Sequence, residues 1–302
     1  MCSTRTSAGA VRGGRTGPLG VLPGLAPLGP PFVLLFMGGL VVAVAQSFGW
    51  WLPFEFAGGR LAGWREAQSA HHLESLGFSL GVAFASAGLA TCMGALGAYW
   101  VWLLPPRLAR ASMVYKIGLV LPHASVAFVT LLLWSQSGFF ASLAHQLGLV
   151  SAPADFPSVL YGGWGAGMVL AFLFKETPFV MLLALSVLAR TDRRLVETAR
   201  MLGAGSTRTF LLVVLPRLGP VLHTAFLILF LYTFGAFDIP YLLGESRPAM
   251  VAMRVYSLYF ERDLANRPTA MALLVLMLLL AVGVIALYAR ASARLGAGER
   301  RL

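Results

Sequence analysis

Six uninterrupted apolar runs, each set off by polar, glycine-rich or proline-rich residues, leave this chain very few ways to fold. They lie at about residues 32–48, 76–104, 113–135, 161–188, 224–243 and 269–289. About 20 apolar residues in a helix cross the ~30 Å hydrocarbon core of a bilayer. In that medium each segment must bond its own backbone polar groups, which a helix does internally. A β-barrel meets the same demand with short alternating strands, a pattern these continuous blocks lack. Only 12% of the residues are charged and 58% are hydrophobic, whereas a soluble domain carries about 25% charged residues. The expected fold is all-α: a polytopic helical membrane protein with six transmembrane helices.

The net charge of +11 does not point to nucleic acid. The basic residues sit at the ends of the apolar runs, where lipid headgroups and topology signals account for them. Cys2 and Cys92 fall in the N-terminal tail and inside an apolar run, with no spacing that suggests a disulfide or a metal site. The five histidines are scattered and form no ligand cluster, and no motif calls for a cofactor.

Residues 1–31 read as a disordered basic tail, rich in Gly, Pro, Ser and Thr, with Arg5, Arg12 and Arg15 as its charges. The first span, 32–48, ends in Ala43-Val44-Ala45-Gln46, which resembles a signal-peptidase site. The long tail and the Trp50-Trp51 pair favour a retained anchor. The second span carries Gly77, Gly81, Ala85, Gly88, Gly94 and Gly97, small residues that let helix backbones approach in lipid. It is therefore expected at the centre of the bundle, with Pro105-Pro106 ending it.

With the N-terminus inside, the cytoplasmic segments carry sixteen basic residues and the outer connections six. That bias places both termini, including a tail at 291–302, in the cytoplasm. The loop at 189–217, between the fourth and fifth spans, lies there too. From Arg193 to Met201 this loop contains no Gly or Pro, and Leu195, Ala199 and Leu202 recur at helical spacing. Arg193, Glu197 and Arg200 lie on another face, where Glu197 is expected to pair with either arginine. Thr191 or Asp192 suits the start of this helix, and Gly203 and Gly205 suit its stop and a sharp turn. The chain is then expected to re-enter the membrane after Pro216. An amphipathic helix of this kind also fits one that rests on lipid headgroups.

The run Glu197-Thr198-Ala199, three residues, Gly203, nine residues, then Val213-x-Leu215-Pro216 resembles the cytoplasmic signature of permease subunits in binding-protein-dependent ABC importers. That family's pattern is Glu-Ala-Ala, three residues, Gly, nine residues, Ile-x-Leu-Pro. Thr198 and Val213 are the two departures, both small. The resemblance covers roughly residues 70–290 and implies a coupling helix that docks on a separate cytoplasmic ATPase dimer. It further implies a second permease subunit, either a copy or a paralogue, an extracytoplasmic substrate-binding protein, and a place in the bacterial inner membrane. Glu197, Thr198, Ala199, Gly203 and Pro216 are its implied coupling residues. No phosphate-binding Gly-x-x-x-x-Gly-Lys-Ser/Thr loop is present, so the chain is not itself expected to be an enzyme.

Lys175 and Glu176 stand inside the fourth span, just before Pro178. An ionised group at bilayer depth costs about 2.5–3.5 kcal/mol on insertion scales, so such residues face protein, a partner charge or a water-filled path. Two readings follow: an interhelical ion pair, or Glu176 lining the translocation path. Asp238, before Pro240, faces the path mouth or anchors at the interface. The stretches Asp238–Gly244 and Asn266–Ala272 resemble permeases of the polyamine, ferric-iron and thiamine group, which implies a small cationic cargo. An ion-coupled secondary transporter is the competing class, although the internal repeats that usually mark it are not evident. An intramembrane enzyme would need a catalytic constellation that the sequence lacks.

Overall fold

A computed structural model of the chain describes residues 27, 29–52, 59–105, 107–108 and 112–299. The expected basic tail up to residue 26, Pro106, Arg110 and residues 300–302 lie outside the described residues. The helices, in chain order, are α1 (Gly29–Ser47), α2 (Ala62–Ala67), α3 (Ala70–Leu103), α4 (His123–Trp134) and α5 (Phe139–Gln146). They continue with α6 (Ala166–Leu188), α7 (Arg194–Met201), α8 (Ser206–Gly235), α9 (Asp238–Leu243), α10 (Val251–Phe260) and α11 (Arg267–Glu299). Among the described residues six helical segments are long and apolar enough to cross a membrane. These are α1, α3, α4 with α5, α6, α8 and the 264–290 stretch containing most of α11.

The 34-residue α3 occupies the centre, packed against α6, α8 and α10. Its buried line is mostly alanine: Ala83, Ala87, Ala90 and Ala98 are wholly enclosed. At Gly94 a Cβ would stand 2.4 Å from Val180 Cβ, so only glycine lets α3 and α6 come this close. The expected central position of the second span is therefore found, but alanines and Gly94 provide the contact. Gly77, Gly81 and Gly88 face open space. Ser79 adds a polar tie, because its hydroxyl accepts the Val251 N–H at the start of α10 at 2.7 Å. The first span, α1, lies to one side against α11.

One expectation about element boundaries fails, for a proline-related reason. The third span is not one helix from 113 to 135. A single turn at Ile117–Val120 ends because Pro122 holds Leu121 extended (ψ 134°), and α4 then starts at His123. After a break at 135–138, α5 runs through residues expected to be loop. Towards the fifth span the helix itself starts early: α8 already begins at Ser206, ten residues before Pro216. A π-helical stretch at Phe210–Val214 ends two residues before Pro216. That wider turn accommodates a residue with no N–H and a bulky ring, so the helix passes through the proline.

Candidate functional site

The loop between α6 and α8 folds as its sequence demands at both ends. Asp192 Oδ1 accepts the Arg194 N–H at 3.0 Å and opens α7. At the other end the Gly203 N–H donates to Arg200 O at 2.9 Å and the Ala204 N–H to Ala199 O at 3.0 Å. This crossed pair is a Schellman closure, which needs a left-handed residue between the two donors. Gly203 supplies it with φ +84°, and nothing stands within 4 Å of where its Cβ would be. The glycine is therefore required by backbone conformation and not by crowding.

The face that α7 buries differs from the one expected. Val196 is the buried anchor, in one core with Phe210 and Val214 at the start of α8. Leu195 is partly exposed, while Met201 and Leu202 are 87% and 85% exposed. Glu197 makes no ion pair with Arg193 or Arg200 among the described residues. Arg193 turns inward instead, donating to Trp102 O at 2.6 Å with its guanidinium 5.5 Å from the Trp102 ring centroid. That contact ties the α7 entrance to the last turn of α3. Thr198, which replaces the family's alanine, bonds its hydroxyl back to Arg194 O at 2.8 Å. A threonine that satisfies its hydroxyl on its own helix leaves the surface close to that of alanine. Glu197 and Thr198 are exposed and Ala199 is half-buried, so the three share a solvent-facing turn.

The mid-span ionisable residues do not pair with each other. Lys175 Nζ donates to the carbonyls of Gly118 and Leu119 at 3.0 and 3.1 Å, and also to that of Leu121. These carbonyls have lost helical partners because Pro122 interrupts the helix, so the lysine completes the broken turn. Glu176 is 3% exposed, and its Oε1 accepts the Thr233 hydroxyl from α8 at 2.9 Å. Among the described residues its Oε2 has no hydrogen-bond partner. Asp238 is exposed at the first turn of α9, just beyond the break that ends α8. The rings of His123 and Tyr232 stand 4.9 Å apart between centroids; the sequence favours bundle packing for Tyr232 and does not single out His123. Pro122, an intramembrane helix breaker, was the signal that would have drawn attention to His123.

Comparison with known proteins places this geometry. Residues 23–296 match the family described as binding-protein-dependent transport system inner membrane component. The molybdenum transport system permease protein ModB of Azotobacter vinelandii is 30% identical over 181 residues, covering 60% of this chain and 76% of that protein. A probable sulfate transport system permease protein of Chlorella vulgaris is 37% identical over 82 residues, 27% of this chain and 31% of that one. In fold, the chain is similar to a chain of a bacterial alginate ABC transporter crystallised with an alginate pentasaccharide-bound periplasmic protein. The TM-score is 0.73 at 17% identity, over 91% of this chain and 94% of that chain. Six membrane-length helices, a capped helix between the fourth and fifth, and a match over nearly the whole chain lead to one conclusion: the chain belongs to the permease family of binding-protein-dependent ABC importers.

Proposed function

We propose that this subunit forms half of an ATP-driven import path and that α7 is its coupling helix. A second copy or a paralogous permease forms the other half. A cytoplasmic ATPase dimer receives α7, and an extracytoplasmic binding protein delivers cargo on the other side. The sixteen-to-six distribution of basic residues supports placing both termini and α7 in the cytoplasm of an inner-membrane importer.

The observation that carries this reading is the build of α7. It is a short helix with its end fixed by Gly203, anchored by Val196, and presenting Glu197, Met201 and Leu202 outward. Met201 and Leu202, exposed side by side at the capped end, support a surface that another protein covers. Because α7 connects α6 to α8, a rigid-body push on it moves both spans together. Pro216 then acts from inside α8, where the adjoining π-turn forms a joint between the loop and the membrane helix. The test is copurification of the chain with its ATPase, comparing wild type with Glu197→Lys and Gly203→Asp. Weakened assembly or transport supports the coupling role, and unchanged assembly and transport refute it. An ion-coupled secondary transporter would keep its uptake when no ATPase is present.

For cargo, two readings have support. Exposed Asp238 favours a small cation such as a polyamine, thiamine or ferric iron, whereas buried Glu176 contributes little to that argument. The similarity to permeases named for molybdenum and sulfate transport favours a small oxyanion. Uptake of sulfate measured against uptake of spermidine separates them.

A further inference from the structure

Lys175 is the tenth residue of the 23-residue α6. At 1.5 Å per residue it lies roughly 15 Å from one helix end and 20 Å from the other, near the bilayer middle. Since Lys175 bonds the carbonyls of Gly118, Leu119 and Leu121, the helix break before His123 lies at the same depth. The Thr233–Glu176 hydrogen bond brings α8 to that level too, and the α8–α9 break follows three residues later at Ala236. Two helix interruptions thus meet at mid-membrane, where α9 packs on α4. Backbone without helical bonding is tolerated at this depth only where protein buries it or where it borders a water-filled cavity.

The side chains between the two breaks are polar and open. His123 is partly exposed, Tyr232 is 42% exposed, and Asp238 is exposed. The His123 ring lies against the Tyr232 ring and within electrostatic reach of Asp238 and Lys175. Tyr232 is likewise within electrostatic reach of Asp238. Lipid would penalise this exposure heavily, and nearby apolar surfaces show what a lipid- or protein-covered face looks like here. Phe174, one residue before Lys175, is 52% exposed in a cleft lined almost wholly by apolar side chains.

We propose that His123 and Tyr232, together with Asp238, form the surface on which cargo crosses the middle of the membrane in this subunit. This rests on the transport reading above and sharpens it, because it moves the path away from buried Glu176. Glu176 and Lys175 then act behind the surface, holding the two breaks in place. A phenol, an imidazole and a carboxylate at one level offer hydrogen-bond donors and acceptors to a partly dehydrated solute. The opposite subunit supplies the facing wall.

Aqueous accessibility tests this without knowledge of the cargo. Single cysteines replace His123, Tyr232 and Asp238 in the assembled importer, in a background with Cys2→Ser and Cys92→Ser. Phe174→Cys serves as the depth-matched control. Leu132→Cys is a second control, since nine residues at 100° place it across α4 from His123. A membrane-impermeant cationic methanethiosulfonate is added with and without ATP plus vanadate, and adducts are counted by mass spectrometry. A thiol reacts as the thiolate, which needs water. The three path positions should therefore react about tenfold or more faster than both controls in at least one nucleotide state. Equal rates at His123, Tyr232 and the controls in both states overturn the proposal. Loss of the ATPase from the wild-type preparation would count against the transport reading instead, and the accessibility ratios would still be read from the remaining permease.

Discussion

The Thr233 hydroxyl donates to Glu176 Oε1 at 2.9 Å, joining α8 to α6 through a carboxylate that is otherwise enclosed by apolar core. These are the two helices that α7 connects. Under the proposed coupling, a motion entering through α7 would meet this hydrogen bond between the two helices it drives. Leaving a buried acceptor without its donor costs about 1–3 kcal/mol. Thr233→Val should accordingly lower the unfolding temperature in detergent. Glu176→Gln should lower it far less, since the amide oxygen accepts the same bond. Equal losses in the two variants would show that the acid itself, and not the bond, is what matters.

Lys175→Met makes the membrane core more apolar and should nonetheless destabilise the protein. The substitution removes a cation that costs about 2.5–3.5 kcal/mol to insert. It also strips the donor from three carbonyls, each costing about 1–3 kcal/mol when left unbonded. The balance falls on the side of loss. Thermal unfolding of the detergent-solubilised protein checks it, and a more stable Lys175→Met variant would contradict the capping role.

Much of this molecule was legible in its sequence because the membrane permits so few solutions. Six apolar runs announced six membrane-length helices, and the glycine spacing marked the α7 stop at Gly203 correctly. What could not be read was how the chain handles the prolines within its helical segments. Pro122 breaks a helix, whereas Pro216 is absorbed by a π-turn, and nothing local to either residue distinguishes them. The charged residues were also misjudged in their partners. Arg193 has Glu197 one turn away on the same helix yet bonds Trp102, 91 positions back in sequence. Lys175, for which an interhelical ion pair was one expectation, bonds backbone carbonyls instead.

At Gly203 the demand is conformational, and substitutions should rank by tolerance of the left-handed region. Holding a residue with a Cβ at φ +84° costs about 1–2 kcal/mol. Asparagine enters this region more readily than other residues. Gly203→Asn should retain more ATPase-coupled transport than Gly203→Ala, and Gly203→Val should retain least. Because nothing crowds this position, a ranking by side-chain size alone, with Ala better than Asn, would contradict the account.

Arg193→Ala should loosen α7 from α3 without disturbing the fold of either helix. It removes both the bond to Trp102 O and the stacking on the Trp102 ring. Hydrogen exchange at α7 amides should rise while protection across α3 stays as in wild type. An Arg193→Lys variant keeps charge but loses the planar fork and should restore little of the protection.

The central claim is that α7 is where this permease meets its motor. Leu202, 85% exposed beside the Gly203 turn, offers the most direct reading. A photo-crosslinking amino acid in place of Leu202, activated in membranes where the importer is active, should attach to the ATPase subunit. The yield should change when ATP and vanadate close the ATPase pair. Crosslinking to lipid alone, in a preparation that still transports with ATP, would contradict the claim and leave α7 as a helix resting on the membrane surface.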